Sequence, residues 1–447
     1  MKKLAYVLIF VFAAGVSLLM LPYFRNADSP AQRFVYANAA DSFVSADLTG
    51  LSGYTETDAE GRVINYEVLN QAMVPLTSGS SSAYVTTVVS NGVITGYRLN
   101  LNPSKNFILA EHLDFYGKTL TVSGFGADKI INGNGYGIGR AVFQRAFVEK
   151  NEGTIKHLTI FATCSVTGGS FAITNEGTLL GVENYAAVRP FTLYNAKSEI
   201  IDMQAGGLVF ENNGLVSDST NYADVKGHGG ISLLNSGTII RCGNQGVVSG
   251  AFGAAGGITG INNGTIEDCV NYAHVDGKAP SAGGIAGISY GKITDVQNRG
   301  MITGSSAAGG IAGSFNGLID KAVNFGLVKA VAGAAGGIAG KTEEGTDGET
   351  AAISGCQNFA VVIGAGAAKG ILGKGAAAIS DTENYGRLNG KTELTVQLDE
   401  ILAQYKIFIV GIAGAAVLAG IISIIADRYN TVKNRRREIE TILSYAA

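Results

Sequence analysis

The stretch Gly256-Gly257-Ile258…Gly264-Thr265-Ile266…Asn271-Tyr272-Ala273…Val275-Asp276-Gly277 is followed at once by a copy, Gly283-Gly284-Ile285…Gly291-Lys292-Ile293…Asn298-Arg299-Gly300…Ile302-Thr303-Gly304. Ile266 and its counterpart Ile293 are 27 residues apart (293 − 266). A phrase that returns with a period of roughly 20 to 50 residues indicates a repeat architecture, in which each unit buries its apolar face against the next. The stretch therefore predicts a solenoid.

The copies align on one apolar residue, the anchor, and an asparagine follows five residues after every anchor except the first. The anchors are Ile155, Leu179, Val216, Ile239, Ile266, Ile293, Ile319, Ile353 and Ile379. The asparagines, here called the ladder asparagines, are Asn184, Asn221, Asn244, Asn271, Asn298, Asn324, Asn358 and Asn384. Short β-branched segments separated by Gly and Asn are typical of strands joined by tight turns. We expect an all-β fold, a right- or left-handed parallel β-helix of about nine coils.

The ladder asparagines have a structural explanation. In parallel coils about 4.8 Å apart, equal positions lie above one another. A side-chain amide there can donate a hydrogen bond to one neighbouring coil and accept one from the other. We therefore interpret them as a structural ladder, and the sequence predicts no catalytic, cofactor-binding or metal-binding residue.

The repeat resembles a known family. The copy Gly309-Gly310-Ile311-Ala312-Gly313…Asn316-Gly317-Leu318-Ile319…Asn324-Phe325-Gly326-Leu327-Val328 is similar to the GLUG repeat of bacterial surface proteins. The resemblance covers residues 105–390 and implies a β-solenoid. It implies no particular activity, because this repeat occurs in adhesins and beside enzyme domains. The stretch from Pro190 to Gln204 departs from the pattern and is expected to be an insertion between coils.

The chain before the solenoid begins with Met1-Lys2-Lys3 and an uncharged run, Leu4–Phe24. This pattern predicts a signal peptide over residues 1–39, cut after Ala39, or an uncleaved N-terminal apolar helix that anchors the chain in a membrane. Residues 40–104 contain alternating stretches joined by Ser90-Asn91-Gly92, which predict a β-hairpin. They are expected to form an N-terminal β cap, with a small binding domain as the alternative.

The chain after the solenoid changes its pattern. Residues 391–406 carry apolar residues at helical spacing and predict a helical stem; these are Leu394, Leu398, Ile401, Leu402 and Tyr405. Residues 407–426 contain no charge and predict a transmembrane helix, whose small residues, such as Gly411 and Gly414, could support self-association. Residues 427–447 are basic, so the positive-inside rule predicts a cytoplasmic tail and an extracellular solenoid.

The remaining candidates for chemistry are an acidic insertion, four cysteines and four histidines. The insertion Lys341–Ala352 is acidic, which suggests a calcium or partner site or simply a solvated loop. The cysteines, Cys164, Cys242, Cys269 and Cys356, are expected to be small core residues, with a Cys242–Cys269 disulfide as a minor alternative. The histidines His112, His157, His228 and His274 show no metal-ligand spacing.

Function is predicted from architecture and topology. The net charge of −3 and the lack of a basic tract in the middle of the chain argue against nucleic acid as a partner. We expect a membrane-anchored bacterial surface adhesin, stalk or interaction scaffold that binds a glycan or protein, with Tyr272 and Tyr385 as candidate contacts, and not an enzyme. One alternative is a polysaccharide lyase or hydrolase; another is a subunit of a membrane assembly. The lyase or hydrolase would use the charged column three residues before the ladder: Asp218, Arg241, Asp268, Asp295, Lys321 and Asp381.

Overall fold

A computed structural model describes residues 45–250, 252–278, 280–343 and 351–389, except for the side chain of residue 201. Within these ranges the chain is an all-β parallel solenoid, and the only helical element is a short 3-10 helix, Gln71–Met73. None of the described residues forms a helix long and apolar enough to cross a bilayer. The sequence predictions for residues 1–39 and 391–447, including both apolar helices, lie outside the described residues, as do residues 344–350 of the acidic insertion.

Two long sheets carry the anchor and the ladder positions. The strands of sheet 1, in spatial order, are Gly53–Thr57, Val63–Leu69, Asn106–Leu109, Ile130–Asn132, Thr154–Lys156, Thr178–Leu180, Leu215–Ser217, Thr238–Ile240, Thr265–Glu267, Lys292–Thr294, Leu318–Asp320, Ala352–Ser354 and Ala378–Ser380. The strands of sheet 2 are Val85–Ser90, Val93–Asn100, Leu113–Ser123, Gly137–Val142, Thr159–Ile160, Glu183–Asn184, Thr220–Asn221, Gly243–Asn244, Val270–Asn271, Gln297–Asn298, Val323–Asn324, Gln357–Asn358 and Glu383–Asn384.

Three further sheets complete the coils. Sheet 3 contains Val148–Asn151, Ala172–Asn175, Val209–Asn212, Ser232–Asn235, Thr259–Asn262, Ala286–Ser289, Ala312–Phe315, Ala339–Thr342 and Leu372–Lys374. Sheet 4 consists of two groups of strands that are linked by single β-bridges from Val225 to Val188 and to Val248. The first group is Val166–Thr167 and Val188–Arg189, and the second is Val248–Gly250, Val275–Gly277, Ile302–Gly304, Val328–Ala330 and Val362–Gly364. Sheet 5 contains Ala254–Gly256, Ser281–Gly283, Ala307–Gly309, Ala334–Gly336 and Ala367–Lys369.

One regular coil visits all five sheets. It passes through Ala254–Gly256 in sheet 5, Thr259–Asn262 in sheet 3, Thr265–Glu267 in sheet 1, Val270–Asn271 in sheet 2 and Val275–Gly277 in sheet 4. Successive coils pair in parallel and in register, so that anchors lie on anchors and ladder asparagines on ladder asparagines. The strands are short because a Gly or Asn turn interrupts the chain every few residues.

The solenoid has about ten turns rather than nine. Asn106–Leu109 and Ile130–Asn132 already belong to sheet 1 ahead of the first anchor, Ile155. The predicted count starts at the anchor Ile155 and leaves these earlier turns out, because Ile138, and not an asparagine, holds the position that continues through Ile160 to Asn184. An apolar side chain fills the same interior position without a hydrogen-bond ladder.

The first rungs of sheets 1 and 2 are antiparallel hairpins. Val85–Ser90 pairs with Val93–Asn100, as the sequence predicts, around a two-residue turn in which Asn91 and Gly92 have φ of 51° and 77°. Positive φ at both positions is the geometry for which Asn-Gly is selected. The second strand of each hairpin then pairs in parallel with the solenoid, which makes the hairpins continuous with it.

The core is built from columns of small and branched side chains. Anchors from Ile155 to Ile353 are fully buried, and a separate cluster, which includes Val275 and Ala282, fills the space between sheets 4 and 5. The departure from the repeat after Pro190 is an inserted antiparallel hairpin, Phe191–Tyr194 with Ile200–Gln204. The insertion expected there is therefore confirmed.

Candidate binding face

The ladder asparagines lie in sheet 2 and are joined by side-chain hydrogen bonds. Asn271 Nδ2 donates to Asn298 Oδ1 at 2.9 Å and to the carbonyl of Ala273 at 2.8 Å, while its Oδ1 accepts from Asn244 Nδ2 at 3.0 Å. The same amide-to-amide bond links every neighbouring pair from Asn184 to Asn384, at 2.7–3.0 Å. Asn184 through Asn358 are wholly buried, so these side chains are occupied with each other and offer nothing to a ligand.

A second asparagine ladder, which the sequence reasoning missed, runs along sheet 3. It joins Asn151, Asn175, Asn212, Asn235 and Asn262 at 2.7–2.8 Å, and Asn262 Nδ2 then donates to Ser289 Oγ at 3.1 Å. The sequence contains the spacing that predicts this second ladder, because each of these asparagines stands four residues before an anchor. The ladder stops where Phe315 takes the next position of the column and fills it with a buried ring.

An aromatic column stands beside the first ladder on the outer surface of sheet 2. It consists of the residues that follow the ladder asparagines: Tyr185, Tyr222, Gln245, Tyr272, Arg299, Phe325, Phe359 and Tyr385. The rings of Tyr185 and Tyr222 are stacked, with centroids 4.5 Å apart, and Phe359 stacks on Phe325 at 5.3 Å and on Tyr385 at 4.9 Å. Because strand residues alternate between faces, a buried ladder places this neighbouring column in solvent.

Two members of the column are not aromatic, and they behave differently. The guanidinium of Arg299 lies between two rings, with its carbon 5.8 Å from the Tyr272 centroid and 5.5 Å from the Phe325 centroid. Such a cation–π arrangement continues the stack. Gln245 is exposed and leaves a gap between Tyr222 and Tyr272, which we call the Gln245 gap. The coils that carry these tyrosines are two apart, about 9.6 Å at about 4.8 Å per coil.

Polar groups flank the column on the same face. The Tyr185 hydroxyl donates to Glu183 Oε2 at 3.3 Å, Tyr385 makes the equivalent bond to Glu383, and Arg299 Nη2 donates to Gln297 Oε1 at 3.1 Å. Burial, together with the charge of Glu183, raises the pKa of Tyr185 above its ordinary value. The face therefore combines apolar ring edges with hydroxyl, carboxylate and amide groups.

The charged column considered for an enzyme occupies a turn. Asp218, Arg241, Asp268, Asp295, Lys321 and Asp381 all have φ between 48° and 52°, at the corner between sheets 1 and 2. Asp is one of the few residues other than Gly that adopts this left-handed conformation readily, because its side chain bonds locally. The recurrence of Asp therefore has a backbone cause.

One ion pair is well formed within this charged column. Arg241 Nε and Nη2 contact Asp218 Oδ1 and Oδ2 at 2.6 and 2.7 Å. Burial acts to raise the pKa of Asp218, but the hydrogen bonds from Arg241 and Ser217 outweigh it and hold that pKa below its ordinary value. Among the described residues, no group of three or more His, Cys, Asp or Glu side chains could hold a metal ion.

The cysteines are core residues, as expected. All four are buried free thiols, and the alternative of a Cys242–Cys269 disulfide is wrong. Cys242 Sγ instead donates to the Ile240 carbonyl at 3.3 Å and Cys269 Sγ to the Glu267 carbonyl at 3.1 Å, while the Cys242 amide donates to Cys269 Sγ at 3.4 Å. Burial raises the pKa of Cys356 to about 12 and that of Cys164 to about 11, so neither is a reactive thiolate at neutral pH.

His228 is buried beneath the inserted hairpin. Its Nε2 lies 3.1 Å from Asp202 Oδ1 of that hairpin, and burial lowers the pKa of the imidazole below its ordinary value, although Asp202 opposes the shift. The contact does not have hydrogen-bond geometry, so among the described residues His228 Nε2 is buried without a hydrogen-bond partner.

Comparison with known proteins returned no relationship: the chain matches no family model, and no curated protein is significantly similar to it.

Proposed function

We propose that this chain is a membrane-anchored bacterial surface scaffold of the GLUG-repeat kind, an adhesin or stalk that binds an extended glycan along the aromatic column. The supporting observation is that six of the eight coils in the column carry a half-exposed or exposed ring beside hydrogen-bonding groups. Tyrosine suits such a surface, because its ring packs on apolar C–H groups while its hydroxyl stays hydrated. A ligand with its own regular repeat can engage several coils at once, so weak contacts add up.

The Gln245 gap is the best position for a sugar ring. Stacked members of the column cover each other's faces, whereas Tyr222 and Tyr272 have only the flexible side chain of Gln245 between them. A ring in van der Waals contact with both would need about 7–8 Å, from two carbon contacts of about 3.5–4.0 Å each. The spacing of about 9.6 Å accommodates it. The Arg299 guanidinium already occupies the equivalent space one coil further on.

The membrane part of the proposal comes from sequence alone. The uncharged run at residues 407–426, followed by basic residues, supports an anchor with the solenoid outside the cell. Neither segment lies among the described residues. The glycan-binding part stands independently of the anchor.

The test uses the full chain purified in detergent and measures its retention on a panel of immobilised polysaccharides. The same polysaccharides in soluble form are incubated with the chain, and new chain ends are then measured. Tyr272→Ala should abolish or strongly reduce retention. Tyr290→Ala is the matched control, because both tyrosines are 47% exposed but Tyr290 lies at the turn after sheet 3, outside the column. Equal retention of the two variants would remove the column from the proposal. New chain ends would favour the polysaccharide-processing alternative, and absence of retention on every polysaccharide would favour a protein partner.

A further inference from the structure

The last coil leaves the core of the solenoid partly uncovered. Ile379 is 47% exposed, whereas the anchor before it in the same column, Ile353, is fully buried. The same change occurs between Ile338, which is fully buried, and Ile371, which is only half-buried. Among the described residues no strand pairs with the outer side of Ala378–Ser380. This end therefore exposes both apolar side chains and an open sheet edge, which solenoids normally cover.

The opposite end of the solenoid has a buried apolar cluster beneath its first strands. Hairpins form the first rungs of sheets 1 and 2, and Leu48 packs with Tyr66, Val68 and Ile108 in a buried cluster at that end. The Ala46 backbone is held there as well, through a hydrogen bond to Asn134 Oδ1 at 2.8 Å. The two ends thus differ, and the described chain supplies a cover for only one of them.

We propose that the segment Thr392–Tyr405 folds back as the cover of the open end. The chain leaves the last coil at Asn389, which is still hydrogen-bonded to Gly364 and Val362 of the coil before it, so the segment starts at the uncovered surface. Its apolar residues recur at the spacing of one helix face, and these are Leu394, Leu398, Ile401, Leu402 and Tyr405. At 1.5 Å per residue, a helix of this length would extend about 20 Å across the coil.

Charge and tethering favour this occupant over a second copy of the chain. The segment carries acidic Glu393, Asp399 and Glu400 and no cation, while exposed Lys369 and Lys374 end the last strands of sheets 5 and 3. Covalent linkage gives the segment a high effective concentration at this surface, which a separate molecule lacks. With the apolar face of the segment packed on the coil, Glu393 and Asp399 flank that face and are the acids that can reach the lysines at its rim. The acids Asp381 and Glu383 lie in or next to the last strands of sheets 1 and 2, away from these lysines in the chain.

The experiment uses a single reactive thiol. All four native cysteines are buried, so Ile379→Cys in the full chain in detergent provides a position that can be labelled with iodoacetamide and followed by mass spectrometry. We expect labelling at least about tenfold slower than in a Val331→Cys chain, whose site lies on the side of the solenoid and is 58% exposed. Adding Leu398→Asp should restore fast labelling. Ala403→Asp, which places the same charge on the opposite helical face, should not.

Two results would overturn the proposal. The first is fast labelling at position 379 in the full chain, as fast as at position 331. The second is slow labelling that Leu398→Asp leaves unchanged and dilution accelerates, which would identify a second copy as the cover. Amide exchange provides a readout without the cysteine: with Ile379 intact, Leu398→Asp should accelerate exchange in Ala378–Ser380 while leaving Thr265–Glu267 unchanged.

Discussion

Replacing Asn271 by alanine tests whether the buried ladder stabilises the solenoid. The substitution removes four hydrogen bonds at a fully buried site. It leaves two acceptors, Asn298 Oδ1 and the Ala273 carbonyl, without the donor that now serves them, and it also frees the Ala273 amide, whose bond is the longest at 3.3 Å. A buried acceptor left unpaired costs about 1–3 kcal/mol, so two cost about 2–6 kcal/mol. Asn244 Nδ2 keeps its bond to the Gly246 carbonyl and adds little to the loss.

The assay is thiol labelling of Cys269, which lies two residues before Asn271 and is wholly buried. Labelling requires local opening, so a loss of 2 kcal/mol or more should accelerate it at least about 30-fold, at 1.4 kcal/mol per factor of ten. A local probe is preferable to a global unfolding midpoint, because coils contact only their neighbours and need not unfold together. Asn263→Ala, an exposed asparagine in the same coil, is the control. Equal acceleration of labelling in the two variants would show that the ladder does not stabilise this coil.

Three further predictions concern packing, stacking and pH. Gly257→Ala should lower the urea midpoint of unfolding, because the added Cβ would lie 2.2 Å from a carbonyl oxygen of the next coil. Gly243→Ala should be neutral, because its Cβ would have no atom within 3.4 Å, and similar midpoints for the two variants would contradict this prediction. Gln245→Tyr should complete the stack, stabilise the chain by about 0.5–1.5 kcal/mol and weaken glycan retention; unchanged retention would remove the gap from the proposed site. The folded pKa of His228 lies below the unfolded value of 6.5, so its contribution to stability is present above pH 6.5 and lost as pH falls further. His228→Gln should therefore reduce the fall in the unfolding midpoint between pH 7.5 and 5, and an identical fall in both proteins would contradict this.

The repeat unit can be read from the sequence because a parallel solenoid converts spacing directly into contact. Once Ile266 and Ile293 are equivalent, stacking of the coils makes Asn271 and Asn298 neighbours, and the turns between them require Gly, Asn or Asp. The register of the coils, the buried cysteines and the hairpin around Asn91-Gly92 follow from such local rules. The turns before Ile155 escape them, because Ile138 fills the ladder position there without an asparagine.

The role of each column depends on the tertiary structure. The sequence shows Asp268 and Asp295 at one offset, but only the backbone conformation shows that this offset is a left-handed turn. The sequence places Tyr272 and Arg299 at another offset, but only the fold shows that the guanidinium lies between two rings on an outer face. The exposure of Ile379 likewise depends on which coil comes last. Spacing specifies which residues are neighbours, whereas their exposure and conformation depend on how the coil closes around its core.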